Sequence, residues 1–346
     1  MFFCAKRNNM RKRYKIKWAV VWFMLSGVFL LSMSVGRYPL SPAEIISAVL
    51  QRATGHDYGV KAEAVSIVMD NRFIRAVSGA LVGAALASSG CAFQGLFRNP
   101  LVSQGVLGVS SGAGFGAALS ILLFSGTAFA PAFAFLFGVC AVWMSFLVAR
   151  VCGEVTVLML VLGGTVISSI FSALLSFLKY VADPYNQLAS IVFWNMGSLA
   201  SVESSTVPAA YASMLFGMLL LLLYANKINV LSMGDREAFS MGLDVRKTRA
   251  MVVMGATFST AGAVCIAGTI GWVGLIIPHM ARFFVKSDNR RLIPFSMLLG
   301  AVFLMSTDIL CRTLTGAEIP LGIMTSVIGG PFFIYLLKKY KGGGWK

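Results

Sequence analysis

Few residues of this chain could do chemistry, and most of them lie in apolar surroundings. The densest set is the run Gly271-Trp-Val-Gly-Leu-Ile-Ile-Pro-His-Met-Ala-Arg282, which puts two glycines, Pro278, His279 and Arg282 into one apolar stretch. Gly271 and Gly274 permit close backbone contact, and Pro278 removes an amide donor and kinks a helix. His279 has the chemistry of a metal ligand or a proton relay. Asp308 and Arg312, four apart, would share one helix face as a local ion pair. Arg72 and Arg75 carry guanidinium forks that match carboxylates. No G-x-x-x-x-G-K-[ST] phosphate loop occurs, so ATP is not bound here by that device. No serine–histidine or cysteine–histidine pairing suggests a nucleophile, and the six cysteines form no C-x-x-C pair. These residues call for no catalytic centre, no metal and no cofactor, so the chain reads as a non-enzyme.

The elements that must position them are membrane helices. Of 346 residues, 58% are hydrophobic and only 12% charged, where soluble domains carry roughly 25% charge. Uncharged runs cover Trp18–Gly36, Ala76–Phe97, Asn99–Ala149, Val155–Leu178, Ser204–Asn226, Ala250–Ala281, Leu292–Thr307 and Ile319–Leu337. A spanning helix needs roughly 20 apolar residues. The pattern predicts an all-α integral membrane protein with ten spans, near 18–36, 64–96, 102–124, 129–150, 155–181, 206–226, 250–268, 271–284, 292–313 and 319–337. A basic segment, 1–17, precedes this single domain (18–337), and a basic tail, 338–346, follows it. An outer segment, 37–63, carries Pro39, Pro42 and mixed charge, and the apolar but broken stretch 182–205 suits a short, partly inserted helix.

A net charge of +16 would suggest nucleic acid in a soluble protein. Here it sorts onto one side of the membrane instead. With the N-terminus inside, most of the basic residues and fewer than half of the acids fall in inner loops, as the positive-inside rule requires. Parity then selects ten spans with both ends in the cytoplasm. The expected environment is membrane lipid, with no nucleic acid. His56, the only other histidine, falls in the outer segment, so a two-histidine site would have to bridge the membrane. His279 is read as packing or hydrogen-bonding at the inner boundary. Arg72 and Arg75 stand at the outer end of span 2 against the orientation signal, which points to recognition of acidic groups.

Two ladders of small residues recur every fourth position, Gly79-Gly83-Ala87-Cys91 and Gly108-Gly112-Gly116. They place small side chains on one face and favour helix packing over a smooth channel wall. The longest inner loop, 227–249, contains Asp235, Arg236, Glu237, Ala238, Phe239, Met241, Gly242 and Leu243. The spacing predicts a short helix, a glycine turn at Gly242 and a second short helix, an element able to transmit force from a moving partner.

With these residues in place, the chain resembles the permease subunits of ABC importers for iron–siderophore complexes, haem and vitamin B12, the FecCD-type permeases. Four blocks carry the resemblance. They are Arg72-Phe-Ile-Arg75 with Gly83–Gly90, Gln94 and Arg98-Asn99-Pro100-Leu101; Leu107–Ala113; Trp194–Leu199; and Gly268–Pro331, through Gly274, Pro278, His279, Asp308 and Arg312. The family has Arg-Leu-Pro-Arg where this chain has Arg72-Phe-Ile-Arg75. The resemblance implies the type II importer permease architecture, with ten spans in a homodimer or in a pair with a close paralogue. It further implies two ATP-binding subunits on the cytoplasmic side and a substrate-binding protein outside. It maps ATPase coupling onto Glu237, Ala238, Met241, Gly242 and Leu243 within 233–249. It maps docking of the binding protein onto Arg72, Arg75 and Arg312. Cargo is expected to be a chelated iron complex, ahead of haem and cobalamin, crossing the cytoplasmic membrane of a bacterium. An ion-coupled secondary transporter is the alternative. It would need broken helices at mid-membrane with paired polar ligands, whereas the glycine–proline run is expected near the inner edge.

Overall fold

The computed structural model of the chain describes residues 2–36, 38, 40–151, 156–202, 204 and 207–340. Every regular element among them is helical: α1 (Phe2–Ser34), α2 (Pro42–Thr54) and α3 (Ala62–Ser66), the last running through a π-helical turn, Ile67–Phe73, into α4 (Ile74–Leu96). There follow α5 (Val109–Phe124), α6 (Ala130–Val151), α7 (Val157–Val181), α8 (Gln187–Met196), α9 (Val207–Leu231) and α10 (Asp235–Ser240). The chain closes with α11 (Val245–Ala267), α12 (Val273–Val285), α13 (Asn289–Thr313) and α14 (Leu321–Tyr340). Seven of the apolar stretches are long enough to cross a membrane, and three more, Val109–Phe124, Val273–Val285 and Leu321–Tyr335, are apolar but shorter. Together they fall where the ten spans were expected, and the protein is a multi-pass membrane protein of all-α class.

Two boundaries differ from expectation. Span 3 starts at Val109 rather than near 102, because Arg98 and Gly108 take left-handed conformations (φ 50° and 85°). Asn99 also folds its side chain back onto the Leu101 amide (2.9 Å), an Asx turn. Residues 97–108 therefore pass between α4 and α5 without regular structure. Secondly, α2 occupies part of the outer segment. Its start is a full capping box: Ser41 Oγ accepts from the Glu44 amide, the Glu44 carboxylate accepts from the Ser41 amide, and Pro42 opens the helix.

Hydrogen bonds between termini fix the ends of the bundle. At one end, Lys17 of α1 donates to Phe284 O of α12, Ser232 donates to Gly95 O of α4, and Asn229 of α9 donates to Asp288. This is the end that carries α10. At the other, Arg72 and Arg312 reach the last turn of α1, on the side that carries α2.

The bundle is built around α4. In the most apolar 18 residues of the Ala62–Leu96 stretch 78% of positions are buried, with 72% in α11 and 67% in α13, against 17% in α1 and 28% in α7. In water a buried apolar helix marks the core; in lipid it marks helices surrounded by other helices. Close approach makes this possible. A Cβ on Gly83 would lie 2.2 Å from Gly300 O, and one on Gly300 would lie 2.3 Å from Gly83 O, so α4 and α13 cross backbone to backbone. Gly112 and Gly116 set α5 against the carbonyls of Phe137 and Phe133 in the same way. Both small-residue ladders therefore pack helices, with Ala87 and Cys91 fully buried.

Candidate functional site

The loop expected to couple to a partner forms a compact arm at the end of α9. Ala238 is its buried anchor, while Glu237, Phe239, Met241 and Gly242 are exposed and Leu243 half-buried. Helix α10 ends in a Schellman turn: Leu243 N donates to Ala238 O (3.0 Å), Gly242 N donates to Phe239 O (2.9 Å), and Gly242 has φ 78°. Asp244 then caps the next helix through the Lys247 amide (2.9 Å). No second short helix exists, contrary to expectation. With a cap at Asp244 and nothing to break the chain before Ala267, the residues after Gly242 are the first turn of the long α11. Arg249 on α11 grips Asp235 at the start of α10 (2.7 Å), so arm and helix are clamped together. Phe239 and Met241, 76% and 62% exposed outside the apolar spans, form the kind of apolar tip that marks a protein contact.

The run around Pro278 is organised differently from its sequence reading. Helix α12 continues through Pro278, and the break lies earlier, at 268–272, where Gly268 and Trp272 have φ 66° and 69°. From Phe284, at the α10 end, thirteen residues of helix rise only about 20 Å, so the break sits at membrane depth rather than at the edge. Its polar groups are paired by three neighbours. Ser198 N donates to Ala267 O (2.9 Å), Thr269 Oγ1 donates to Asn195 O, and Gln104 Nε2 donates to Ile270 O (3.1 Å). Leu321 N at the start of α14 donates to Gly197 O (2.8 Å) beside it. Irregular backbone at this depth is tolerated when protein surrounds it in this way.

Pro278 explains Gln94. A proline at 278 leaves the carbonyl four residues earlier without its helical donor, and that carbonyl is Gly274 O. Gln94 Nε2 on α4 donates to Gly274 O and Leu275 O (3.3 Å each), and Gln94 Oε1 accepts from Arg282 Nη1 (2.6 Å). Gly90, one turn earlier on α4, lets the two backbones meet: a Cβ there would lie 2.0 Å from Gly274 O. Gln94, Gly274, Pro278 and Arg282 thus form one knot between α4 and α12. His279 is buried beside it, and Asn99 and Pro100 shape the turn that follows α4.

The three outer arginines are not on the surface. Arg72, Arg75 and Arg312 are 4%, 8% and 7% exposed, so their guanidiniums turn inward. Arg72 donates to Met33 O (2.9 Å), Ser34 O (3.1 Å) and Tyr38 O, and Arg312 donates to Ser32 O and Oγ (2.8 and 2.9 Å). Both satisfy carbonyls that the end of α1 leaves open. Arg75 makes paired bonds to Asp308 (2.8–3.1 Å) and to Glu318 (2.9 and 3.1 Å). Arg312 lies 3.7 Å from Asp308, the local pair its spacing foretold. The physical reason is burial: a guanidinium sunk between helices must find acceptors inside the chain. Glu318, Gln104 and the Asp235–Arg249 clamp carried no periodicity or motif that sequence reading could use.

Comparison with known proteins follows this geometry closely. Residues 24–339 match the FecCD transport family. The molybdate import system permease of Haemophilus influenzae is 37% identical over 91% of this chain and 93% of its own length. The cobalamin import system permease of Halobacterium salinarum is 40% identical over 81% of this chain and 76% of its own. A solved inward-facing ABC transporter assigned to the metal-chelate type superposes with a TM-score of 0.84 at 34% identity, covering 94% of this chain and 99% of that one. Molybdate and cobalamin among these relatives mean that iron is not singled out. The break at membrane depth is a feature the secondary-transporter alternative asks for, but the match over nearly the whole chain decides against it: the chain belongs to the FecCD transport family and is a membrane permease of the ABC importer class.

Proposed function

We propose that this chain is the conduit of an ATP-driven importer for a metal chelate, with an iron–siderophore complex as first cargo and haem or cobalamin next. The end that carries α10 faces the cytoplasm of a bacterium, with both chain termini, because the basic loops gather there. The arm 235–243 is the seat of a separate ATP-binding subunit, one for each of two permeases, the second being an identical copy or a close paralogue. A substrate-binding protein meets the opposite end, whose rim Arg72, Arg75 and Arg312 hold in shape.

The observation that carries this reading is the arm itself. An exposed apolar tip, Phe239 and Met241, is fixed by Arg249–Asp235 to α11, and α11 runs without interruption to the break at 268–272. A push on the tip is delivered to the junction of α8, α11 and α14. Support for a metal complex comes from the metal-chelate transporter of like fold and from cobalamin, itself a cobalt chelate. The test is uptake into vesicles holding the chain with its neighbouring ATPase, offered iron–siderophore, haem, cobalamin and molybdate separately. ATP-dependent uptake of a metal complex supports the proposal. Uptake of molybdate alone overturns the cargo and leaves the conduit; uphill transport without an ATPase overturns the conduit.

A further inference from the structure

We infer that the groove between α6 and α11 is a binding site for one anionic phospholipid, whose headgroup phosphate is held by Arg150 and Arg246. Two surface features meet there. A cavity of about 510 Å³ runs between the helices, lined on α6 by residues such as Trp143 and Leu147 and on α11 by Met254 and Phe258. A second, larger cleft of about 1360 Å³ lies beyond it, against the coupling arm. Arg150, Arg246 and Arg249 line both. The arginines therefore stand at the seam between an apolar groove and a polar one, which is where an amphiphile changes character.

The sequence builds this seam by helical spacing. On α6, Val139, Val142, Phe146 and Arg150 recur at three- and four-residue steps, and on α11 Arg246, Ala250, Val253 and Thr257 do the same. Each helix thus carries an apolar stripe that ends in an arginine. Arg249 is already committed to Asp235. Arg150 and Arg246 are exposed, and among the described residues neither has a carboxylate within salt-bridge distance. Asp244, the other acid in the larger cleft, is used in capping α11. What remains, among the described residues, is a pair of positive charges without an ion-pair partner over an apolar slot of the size that takes small ligands, roughly 300–1,000 Å³. Trp143 and Leu147, 63% and 40% exposed, face lipid in a membrane-embedded chain. Basic pockets between spans on the cytoplasmic side suit anionic headgroups, and a zwitterionic lipid would set its own ammonium against the arginines. The position has a consequence: the occupied site ties Arg246, two residues after the cap of α11, to the membrane beside the coupling arm. This inference rests on the membrane placement of α6 and α11 and is independent of the cargo.

The test is native mass spectrometry of the full-length chain, stripped of lipid in neutral detergent and titrated with phosphatidylglycerol, phosphatidylcholine or glycerol phosphate. Wild type is expected to retain one phosphatidylglycerol in strong preference to phosphatidylcholine. The Arg150→Gln/Arg246→Gln pair should weaken retention roughly thirtyfold, about fivefold for each arginine. Arg150→Lys/Arg246→Lys should keep most of it, which separates charge from folding. Ala250→Trp, which fills the slot and leaves the charges, should also lose the lipid. Equal retention of phosphatidylcholine, wild-type retention in the Gln pair, or no effect of Ala250→Trp would each overturn the proposal. So would glycerol phosphate competing as well as the lipid, or a protein partner but not lipid shielding Arg150 and Arg246 from phenylglyoxal.

Discussion

Gln94 is expected to act as a stand-in for the amide that Pro278 lacks, and this can be isolated by a double-mutant cycle. In wild type, Gln94→Leu removes the donor shared by Gly274 O and Leu275 O, of which Leu275 O keeps its own helical donor, and the acceptor of Arg282 (2.6 Å). An unpaired buried carbonyl costs about 1–3 kcal/mol, and a lost bond to a charged group about 1.5–3 kcal/mol. Hydrogen bonds between membrane helices are worth less, averaging about 0.6 and reaching about 1.7 kcal/mol, so the lower ends apply and the substitution should cost about 2 kcal/mol. In a Pro278→Ala background residue 278 has an N–H of its own, which can serve Gly274 O along the helix. The first loss then vanishes while the Arg282 loss stays. Gln94→Leu should therefore cost about 1 kcal/mol less in that background. The assay is unfolding of the purified chain in mixed micelles by rising SDS, followed by tryptophan fluorescence, for all four variants. Non-contacting sites add within about 0.3–0.5 kcal/mol; additivity to that level would refute the stand-in role.

Other outcomes follow from the same structure. Gly242 has φ 78°, and the space a Cβ would occupy there is open, so Gly242→Ala should cost only the left-handed backbone, roughly 1–2 kcal/mol, with transport reduced. Gly242→Pro, whose φ is fixed near −65°, should abolish uptake while membrane insertion, read by protease protection, persists; wild-type uptake would remove the coupling role. Arg75→Met strips Asp308, with a side chain 3% exposed, of its hydrogen-bonding cation and leaves only Arg312 at 3.7 Å, so it should cost about 3 kcal/mol, the lower end for a broken buried pair. Adding Asp308→Asn should restore part of the thermal midpoint in detergent, and an unshifted midpoint in the single variant would show that the pair holds nothing. Asp288 lies outside the spans. Burial pushes its pKa up, but bonds from Arg290 and Asn229 outweigh that and hold it below the usual carboxylate range. Its contribution is thus fully present above the ordinary value of about 3.9 and fades as pH falls from there through the lower folded value. Asp288→Asn should flatten that part of the stability–pH curve, and identical curves would refute it.

The parts legible in the sequence were those that lipid itself dictates. Uncharged length placed ten apolar helices, and four-residue spacing of small residues placed the packing faces, because each is set by one segment's own contact with lipid or with its neighbour. Gly242 was legible as a turn for the same local reason. The interior polar contacts were not. Whether Arg75 points outward or pairs inward depends on Asp308 and Glu318, more than two hundred residues away, and a guanidinium has the same sequence signature in both cases. The break at 268–272 was obscured by Pro278, the louder local signal. A proline in a helix needs only one foreign donor, and Gln94 supplies it. Gly268 and Trp272 instead turn the chain, and the groups beside them, Ala267 O, Thr269 Oγ1 and Ile270 O, find partners at Ser198, Asn195 and Gln104. The capping box at Ser41–Glu44 was available to sequence reading and marks a helix that composition alone concealed.

The placement of polar groups divides the molecule into a part built to hold still and a part built to move. Around α4, irregular and charged features are answered from distant segments: Pro278 by Gln94, Arg75 by Asp308 and Glu318, the end of α1 by Arg72 and Arg312. Removing any of these leaves a polar group stranded away from water, so the α4–α12–α13 unit resists deformation. The arm 235–243 is held by the ion pair of Asp235 with Arg249, on the helix it leads into. Its turn is a glycine in open space, and its tip is exposed. Force applied there has one rigid route, along the roughly 35 Å of α11 at 1.5 Å per residue, and that route ends where regular structure ends, at Gly268. Helices α8 and α14 meet the break through backbone bonds at Gly197, Ala267 and Leu321, bonds that can be re-registered without stranding a charge. Bonds at that junction are therefore cheaper to rearrange than those around α4, so a push on the arm is expected to displace α8, α11 and α14 before the α4–α12–α13 unit.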